Sequence, residues 1–290
     1  MKKVFVGPGG LRAGWGFAVF AVLWLAIDGG LLLLARVFYR VHRGMHPVDF
    51  LVSDGLGLAS IFLVLLFMAR FERRRVGDYG LPAAPRAGAR LAEGLLWGFA
   101  PVVLTMLGIR ALGGVSFDGL ALTGRALGTS VPIWAAAMIV LGFFEETLFR
   151  GYPLVTLARG MGFWPAAILL SVLFGALHFI AKPMESVLDA VSVAFIGLFL
   201  CLTFRRTGDL WLAIGFHAAF DFFALAVFGA PNTANDGTPV PGHFLATRFH
   251  GPAWVTGGPC GIEASVVMLA AMALLFAVFS RLRPRVAGPG

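Results

Sequence analysis

The stretch MIVLGFFEETLFRGYP, residues 138–153, decides how this chain folds. It begins as an apolar run suited to a helix in lipid, and it then places Glu145, Glu146 and Arg150 in the same run before Gly151. An ionisable group inside hydrocarbon costs about 2.5 to 3.5 kcal/mol, so residues of this kind are retained mainly for function. Two questions follow from this stretch: whether the chain spans a membrane, and what the three charged residues do there.

The composition answers the first question. Of the 290 residues, 59% are hydrophobic and 13% charged, and the mean hydropathy is +0.86, whereas about 25% of the residues of a soluble domain are charged. A membrane-spanning helix needs about 20 mostly apolar residues. Eight runs qualify, near 15–36, 50–70, 91–112, 130–157, 164–182, 186–204, 209–229 and 264–280. We predict an all-α transmembrane bundle of about eight helices, forming one domain over residues 1–290.

The basic residues predict the orientation of this bundle. The connections on the side of both termini hold 16 of the 23 Lys and Arg residues, and the opposite side holds 7. By the positive-inside rule, both termini are cytoplasmic, and the net charge of +8 reflects contact with the lipid bilayer and does not indicate nucleic acid. An Ala-, Arg- and Gly-rich composition favours a bacterial inner membrane. The two long connections, 70–90 inside and 229–261 outside, are expected to be solvated or interfacial segments.

Few ionisable residues interrupt the apolar runs. Asp54, Glu93 and Asp189 fall near predicted helix starts, where they can cap a helix or reach the interface. Only two of the six histidines, His178 and His217, lie within apolar runs. At a rise of 1.5 Å per residue, these two histidines and Glu145 lie within roughly 8 Å of the midplane. Three helices are therefore expected to bring polar groups to a similar depth.

Helical spacing separates the two glutamates. Glu146 and Arg150 are four residues apart with the acid first, the better order for an ion pair. Glu145 is rotated by about 100° from Glu146 and need not share that partner. We therefore expect a supporting Glu146–Arg150 clamp and a free Glu145, directed at His178.

The same spacing pairs residues on the other two helices. Phe174 shares a helical face with His178 and is expected to be a supporting residue there, and Asp221 shares a face with His217. A desolvated carboxylate beside a histidine can act as a general base for water, and an imidazole N–H can stabilise an oxyanion. We expect Glu145 and His178 to activate water, while His217 and Asp221 form the oxyanion side. Alternatively, His178, His217 and Asp221 hold a divalent metal such as Zn²⁺.

These residues form three ordered motifs. The segments EETLFR, FGALH and HAAFD resemble the E-E-x-x-x-R, F-x-x-x-H and H-x-x-x-N/D motifs of the CPBP intramembrane proteases, which include the type II CAAX prenyl endopeptidases and bacterial Abi-like relatives. The match covers residues 144–223. It implies a helical membrane protease with a site inside the bilayer, open toward the cytoplasm in the prenyl-protease members. It also implies the roles assigned above to Glu145, His178, His217, Asp221, Glu146 and Arg150.

Asp221 departs from the form common in this family, since Asn is frequent at that position. An ionised Asp cannot donate to an oxyanion as an Asn amide can. Asp221 is therefore protonated, or orients His217, or binds a metal; the sequence leaves these alternatives open.

Two other functions compete with proteolysis. Asp28 followed by Gly29 and Gly30 in a predicted helix is the best argument for a transporter, because broken helices and buried acids mark ion paths. The second alternative is a catalytically silent membrane scaffold or immunity protein, although no motif position is lost. For a protease, the expected partner is a protein or peptide substrate at the membrane, either prenylated or bacteriocin-like.

Overall fold

A bundle of helices with two small sheets forms the computed structural model, which describes residues 6–7, 10–83, 85–182 and 184–283. The helices are α1 (Ala13–Phe38), α2 (Pro47–Glu72), α3 (Ala87–Ala111), α4 (Gly124–Arg150), α5 (Tyr152–Met161), α6 (Phe163–Ala181), α7 (Val187–Thr207), α8 (Trp211–Asp221), the one-turn α9 (Ala253–Thr256) and α10 (Val266–Leu282). A π-helical turn, Phe222–Val227, extends α8. The antiparallel strand pairs are β1 (Val6–Gly7) with β2 (Gly10–Leu11), and β3 (Val115–Leu120) with β4 (Leu245–Phe249).

All eight predicted apolar runs lie in helices, so the all-α transmembrane prediction is confirmed. Six helical segments of the described chain are long and apolar enough to cross a membrane, and Trp211–Val227 and Val266–Leu282 are shorter apolar helices. The run at 130–157 is two helices, because α4 ends at Arg150 and the backbone turns at Gly151 before α5 begins. The extreme termini, predicted to be cytoplasmic, lie outside the described residues.

Helix α8 lies in the middle of the bundle, packed closely on α3 and α4. A Cβ added at Gly94 or Gly98 of α3 would overlap the backbone of α8, at the carbonyls of Leu212 and Phe216. A Cβ on Gly142 of α4 would lie 3.0 Å from the Ile214 carbonyl oxygen. Small residues allow membrane helices to approach at backbone distance. These glycines therefore fix α8, and with it His217, against its neighbours.

The connection between α8 and α10, predicted to be a solvated or interfacial segment, is folded. Its strand β4 pairs with β3, which lies between α3 and α4 in the chain. Val240 and Ile262 are buried, and short 3₁₀ turns lie at Thr233–Asn235, Gly258–Cys260 and Ile262–Ala264. Apolar side chains spaced between the glycines and prolines join this connection to the core of the bundle, since Val240 belongs to the buried cluster around Trp134 of α4 and Ile262 to the one around Phe216 of α8.

The connection between α2 and α3 is also packed on the bundle. A 3₁₀ turn, Val76–Tyr79, buries the Tyr79 ring completely. The Glu72 carboxylate accepts hydrogen bonds from Tyr79, Tyr152 and Arg159, at 3.2, 2.5 and 3.1 Å. This carboxylate therefore ties the end of α2 to the connection and to α5.

Two acids expected at helix starts lie deeper in their helices. Because α2 begins at Pro47 and α3 at Ala87, Asp54 and Glu93 lie about two turns inside. Asp189 does lie in the first turn of α7, capped by Ser186. The apolar runs in the sequence begin later than the helices themselves, which explains the difference.

Helix α1 continues without a break through Asp28, Gly29 and Gly30. The Asp28 carboxylate accepts a hydrogen bond from Ser60 of α2 at 3.2 Å. The broken helix on which the transporter interpretation relied is therefore absent from this described segment.

Candidate active site

A cavity of about 190 Å³ lies between α4, α6, α7 and α8. Glu145, His178, His217 and Asp221 all line it, so three helices bring the four predicted catalytic residues to one space. The folded connection after α8 covers one end, where Asn232 and Glu263 also line the wall. The rest of the wall is mostly apolar, as expected for a site that excludes bulk water.

The Glu146–Arg150 ion pair forms as the spacing predicts. Arg150 Nη1 lies 3.0 Å from Glu146 Oε1, and both side chains are completely buried. Gly197 of α7 makes room for the guanidinium, since a Cβ there would lie 2.6 Å from Nη2. The Arg150 guanidinium also lies over the Phe174 ring, 4.5 Å from its centroid. Its ion pair lies within α4, whereas packing on Gly197 connects Arg150 to α7 and the cation–π contact with Phe174 connects it to α6.

Glu146 has a second partner that the sequence analysis did not anticipate. Its Oε1 accepts a hydrogen bond from His217 Nδ1 at 2.8 Å. One carboxylate oxygen therefore contacts both the Arg150 guanidinium and the His217 imidazole. This contact sets the rotation of the His217 ring and directs its other nitrogen into the cavity.

His217 Nε2 lies between two further carboxylates. Asp221 Oδ2 is 3.2 Å away and Glu145 Oε2 is 3.6 Å away. Glu145 Oε2 has no hydrogen-bond donor within the described part of the chain. The imidazole nearest to Glu145 Oε2 is therefore that of His217, whereas the sequence predicted that Glu145 faces His178.

His178 lies one turn from the end of α6 and is held by Phe174. Its Nδ1 is 2.9 Å from the Phe174 carbonyl oxygen, and the two rings lie 4.4 Å apart, edge to face. Because a carbonyl oxygen can only accept, Nδ1 carries the proton and Nε2 is the acceptor of the neutral ring. Phe174 thus contacts His178 on one side and Arg150 on the other, which fits its predicted supporting position.

The predicted metal ligands do not form a compact three-ligand site. One ion bridging His178, His217 and Asp221 would need their donor atoms to converge, since zinc bonds to nitrogen and oxygen are about 2.0 to 2.2 Å long. In the part of the chain described, that convergence, within 4.8 Å, occurs at His42, His46 and Asp49 and not at this cavity. Both nitrogens of His217 also face carboxylates. The arrangement does not fit a metal centre at these three residues.

Two charged residues of the cavity wall, Lys182 and Glu263, were missed by the sequence analysis. Lys182 follows His178 by four residues, a spacing that places it on the same helical face and could have revealed it. Glu263 lies in the folded connection and gave no local signal, since its position depends on that connection folding back. Burial raises the pKa of Glu263 to about 7, although the Lys182 charge acts in the opposite direction.

A second acid lies next to this wall. Glu185 Oε2 accepts a hydrogen bond from Thr233 at 2.9 Å and lies 3.8 Å from Lys182 Nζ. The end of the cavity beyond His178 is therefore polar and charged.

Comparison with known proteins supports the family resemblance of the three motifs. Residues 127–223 match a family model described as type II CAAX prenyl endopeptidase Rce1-like. This match spans all three motifs and covers about a third of the chain. No curated protein matches the chain. Together with the six long apolar helices, the family match supports an integral membrane protein. The family implies a protease, and the resemblance predicted from the motifs is confirmed: residues 127–223 match the Rce1-like type II CAAX prenyl endopeptidases.

Proposed function

We propose that this protein is an intramembrane endopeptidase that hydrolyses a peptide bond in or near the bilayer. The observation that carries the proposal is the meeting of Glu145, His178, His217 and Asp221, from α4, α6 and α8, around one mostly apolar cavity. A carboxylate, two imidazoles and a second carboxylate are the groups that peptide hydrolysis requires for a general base and for oxyanion stabilisation.

Glu145 is the general base. The Glu145 side chain lines the cavity and its Oε2 has no donor among the described residues, so the carboxylate can accept a proton from a water molecule. The resulting hydroxide attacks the scissile carbonyl carbon, and the carbon–nitrogen bond then breaks. Glu145 returns the proton to the leaving amine, so the reaction consumes one water and leaves the carboxylate as it began.

His178 orients the water. With its Nδ1 proton held by the Phe174 carbonyl, Nε2 can accept a hydrogen bond from the same water that Glu145 deprotonates. Two acceptors on one water fix the direction of its attacking lone pair. This division of roles retains the predicted cooperation of Glu145 with His178, although Glu145 lies nearer to His217.

His217 and Asp221 stabilise the oxyanion. His217 donates through Nδ1 to Glu146, and its Nε2 lies 3.2 Å from Asp221 Oδ2. In the protonated imidazole, Nε2–H is the donor that the negative oxygen of the tetrahedral intermediate can share with Asp221. Asp221 acts here by orienting His217, one of the alternatives that the sequence left open.

The proposed substrate is a membrane-associated peptide, prenylated or bacteriocin-like, in a bacterial inner membrane. The wall includes residues of three connections, at Met45, Lys182 and Glu263, which the charge distribution assigns to the outer side. In this orientation the charged end of the cavity faces outward, whereas the prenyl-protease members are expected to open toward the cytoplasm. A substrate segment exposed on the outer face therefore fits this chain better.

The test is a comparison of new protein termini in membranes that contain wild-type protein or Glu145→Gln. The amide keeps the shape of the side chain but cannot accept the proton, so we expect at least a 10²-fold loss of cleavage. Glu93→Gln is the matched control, since it removes a carboxylate that pairs with Arg283 away from the cavity. Cleavage by Glu145→Gln at the wild-type rate, with equal protein in the membrane, would refute the mechanism.

A further inference from the structure

A second cluster of potential ligands lies in the connection between α1 and α2. Each of three residues offers one atom that could bind a metal ion, and these atoms lie within 4.8 Å of one another: the residues are His42, His46 and Asp49. His42 Nδ1 is 2.9 Å from Asp49 Oδ1, and the two imidazole rings stack with centroids 4.0 Å apart. The site proposed above for proteolysis uses none of these residues.

The carboxylate of this cluster is fixed before any ion binds. Tyr39 donates its hydroxyl to Asp49 Oδ1 at 2.7 Å. The backbone N–H of His42 lies 3.3 and 3.2 Å from the two carboxylate oxygens. Hydrogen bonds that orient a ligating carboxylate are the usual second layer around a metal. The cluster therefore has both ligands and a support that holds one of them in place.

The backbone of the connection is anchored as well. Asn235 Oδ1 accepts a hydrogen bond from the Met45 N–H at 2.9 Å. Gly44 has a φ of +71°, and a Cβ there would overlap the same Asn235 oxygen. His42 and His46 thus flank a turn that is fixed to the folded connection after α8. The turn is anchored more firmly than a solvated loop would be.

An ion pair alone does not account for the cluster. An exposed pair such as His42–Asp49, with the His42 side chain 46% exposed, contributes only about 0 to 1 kcal/mol. The His46 imidazole is positioned separately, as the N-cap of α2: its Nδ1 accepts a hydrogen bond from the Val48 N–H at 3.3 Å, which leaves Nε2 as its free ligand atom. Two imidazoles and one carboxylate are a common protein donor set for Zn²⁺, with water completing the tetrahedron on the exposed side.

We propose that His42, His46 and Asp49 bind one divalent transition-metal ion of the zinc class. The ion links the end of α1 to the start of α2. Met45, between the two histidines, and Phe50, after the aspartate, both line the catalytic cavity. Metal binding therefore stiffens the rim of that cavity from outside the bilayer core. This proposal does not depend on the proteolytic function.

The experiment titrates Co²⁺, a spectroscopic substitute for Zn²⁺, into the full chain in detergent after removal of any affinity tag. We expect one equivalent to give the visible absorption of a tetrahedral site, and Zn²⁺ to displace it. His46→Ala and Asp49→Asn should each weaken binding at least tenfold. Tyr39→Phe, which removes only the support of Asp49, should weaken it by a smaller factor.

Two controls make the result decisive. His250→Ala removes an exposed histidine elsewhere and should leave the titration unchanged. Glu145→Gln should abolish proteolysis but keep the cobalt spectrum, which separates this site from the catalytic cavity. Thermal unfolding without metal checks that each variant is folded. The proposal is overturned if folded His42→Ala/His46→Ala binds one equivalent as tightly as wild type, or if Glu145→Gln removes the spectrum.

Discussion

The buried Glu146–Arg150 pair predicts an asymmetric response to mutation. At the observed 3.0 Å, two unit charges attract by about 5.5 kcal/mol at an effective dielectric of 20. Removal of one partner of a buried pair costs about 3 to 5 kcal/mol, because the other charge is left in the interior. The two substitutions differ in the partners that they leave to the remaining charged residue.

Glu146→Gln leaves the Arg150 guanidinium, which cannot lose its proton, without a carboxylate within the described residues. We expect this variant to lose about 3 to 5 kcal/mol of stability. Arg150→Met leaves Glu146 with His217 Nδ1 at 2.8 Å, a partner that can still donate. Its loss of stability should be smaller by about 1.5 to 3 kcal/mol, which is the net contribution of a hydrogen bond to a charged group.

The assay is reversible unfolding of the purified protein in mixed micelles of increasing denaturing-detergent fraction, for both variants and the double variant. The double variant has no buried charge left at this position, so we expect it to be more stable than Glu146→Gln alone. The resulting coupling energy should exceed about 2 kcal/mol. If the two single effects simply add, or if Arg150→Met is the more destabilised, the reasoning from the shared Glu146 oxygen is wrong.

Two further predictions concern packing and pH. Gly98→Ala should destabilise the protein, because the new Cβ would overlap the Phe216 carbonyl. Gly88→Ala on the same helix is the control: its Cβ meets nothing within 4 Å, so this variant should be neutral or slightly stabilising. Thermal unfolding of the two variants compares their stabilities directly. The pKa of Glu263 is raised from 4.5 to about 7, so the folded state holds this proton more tightly, and stability should fall as pH rises between these values. Glu263→Gln should flatten that slope, and an unchanged slope would show that another group titrates.

The helices and the residues that meet between them were predictable because both follow from local rules. Hydropathy located the eight apolar runs, and four-residue spacing predicted the Glu146–Arg150 pair. The rarity of His178 and His217 in apolar runs was enough to single them out. Each of these inferences uses residues within one helix, whose geometry is fixed by the backbone alone.

The contacts between helices could not be predicted in the same way. Which carboxylate each nitrogen of His217 faces depends on the rotation of α8 about its axis, and the close approaches at Gly98 and Gly142 restrict that rotation. The position of Glu263 depends on a connection that folds back across the bundle. Such contacts join residues far apart in sequence, and single-helix periodicity carries no information about them.

The shared oxygen of Glu146 has a consequence for how the chain enters the membrane. A helix that leaves the ribosome with buried charges must partition into lipid before its later neighbours exist. Arg150 lies within the same helix, so the two charges can pair during insertion, which lowers the cost of placing them in lipid. His217 arrives 71 residues later and adds its hydrogen bond to a carboxylate already in place. The ion pair thus first assists the insertion of α4 into the membrane and only afterwards orients the imidazole ring of His217.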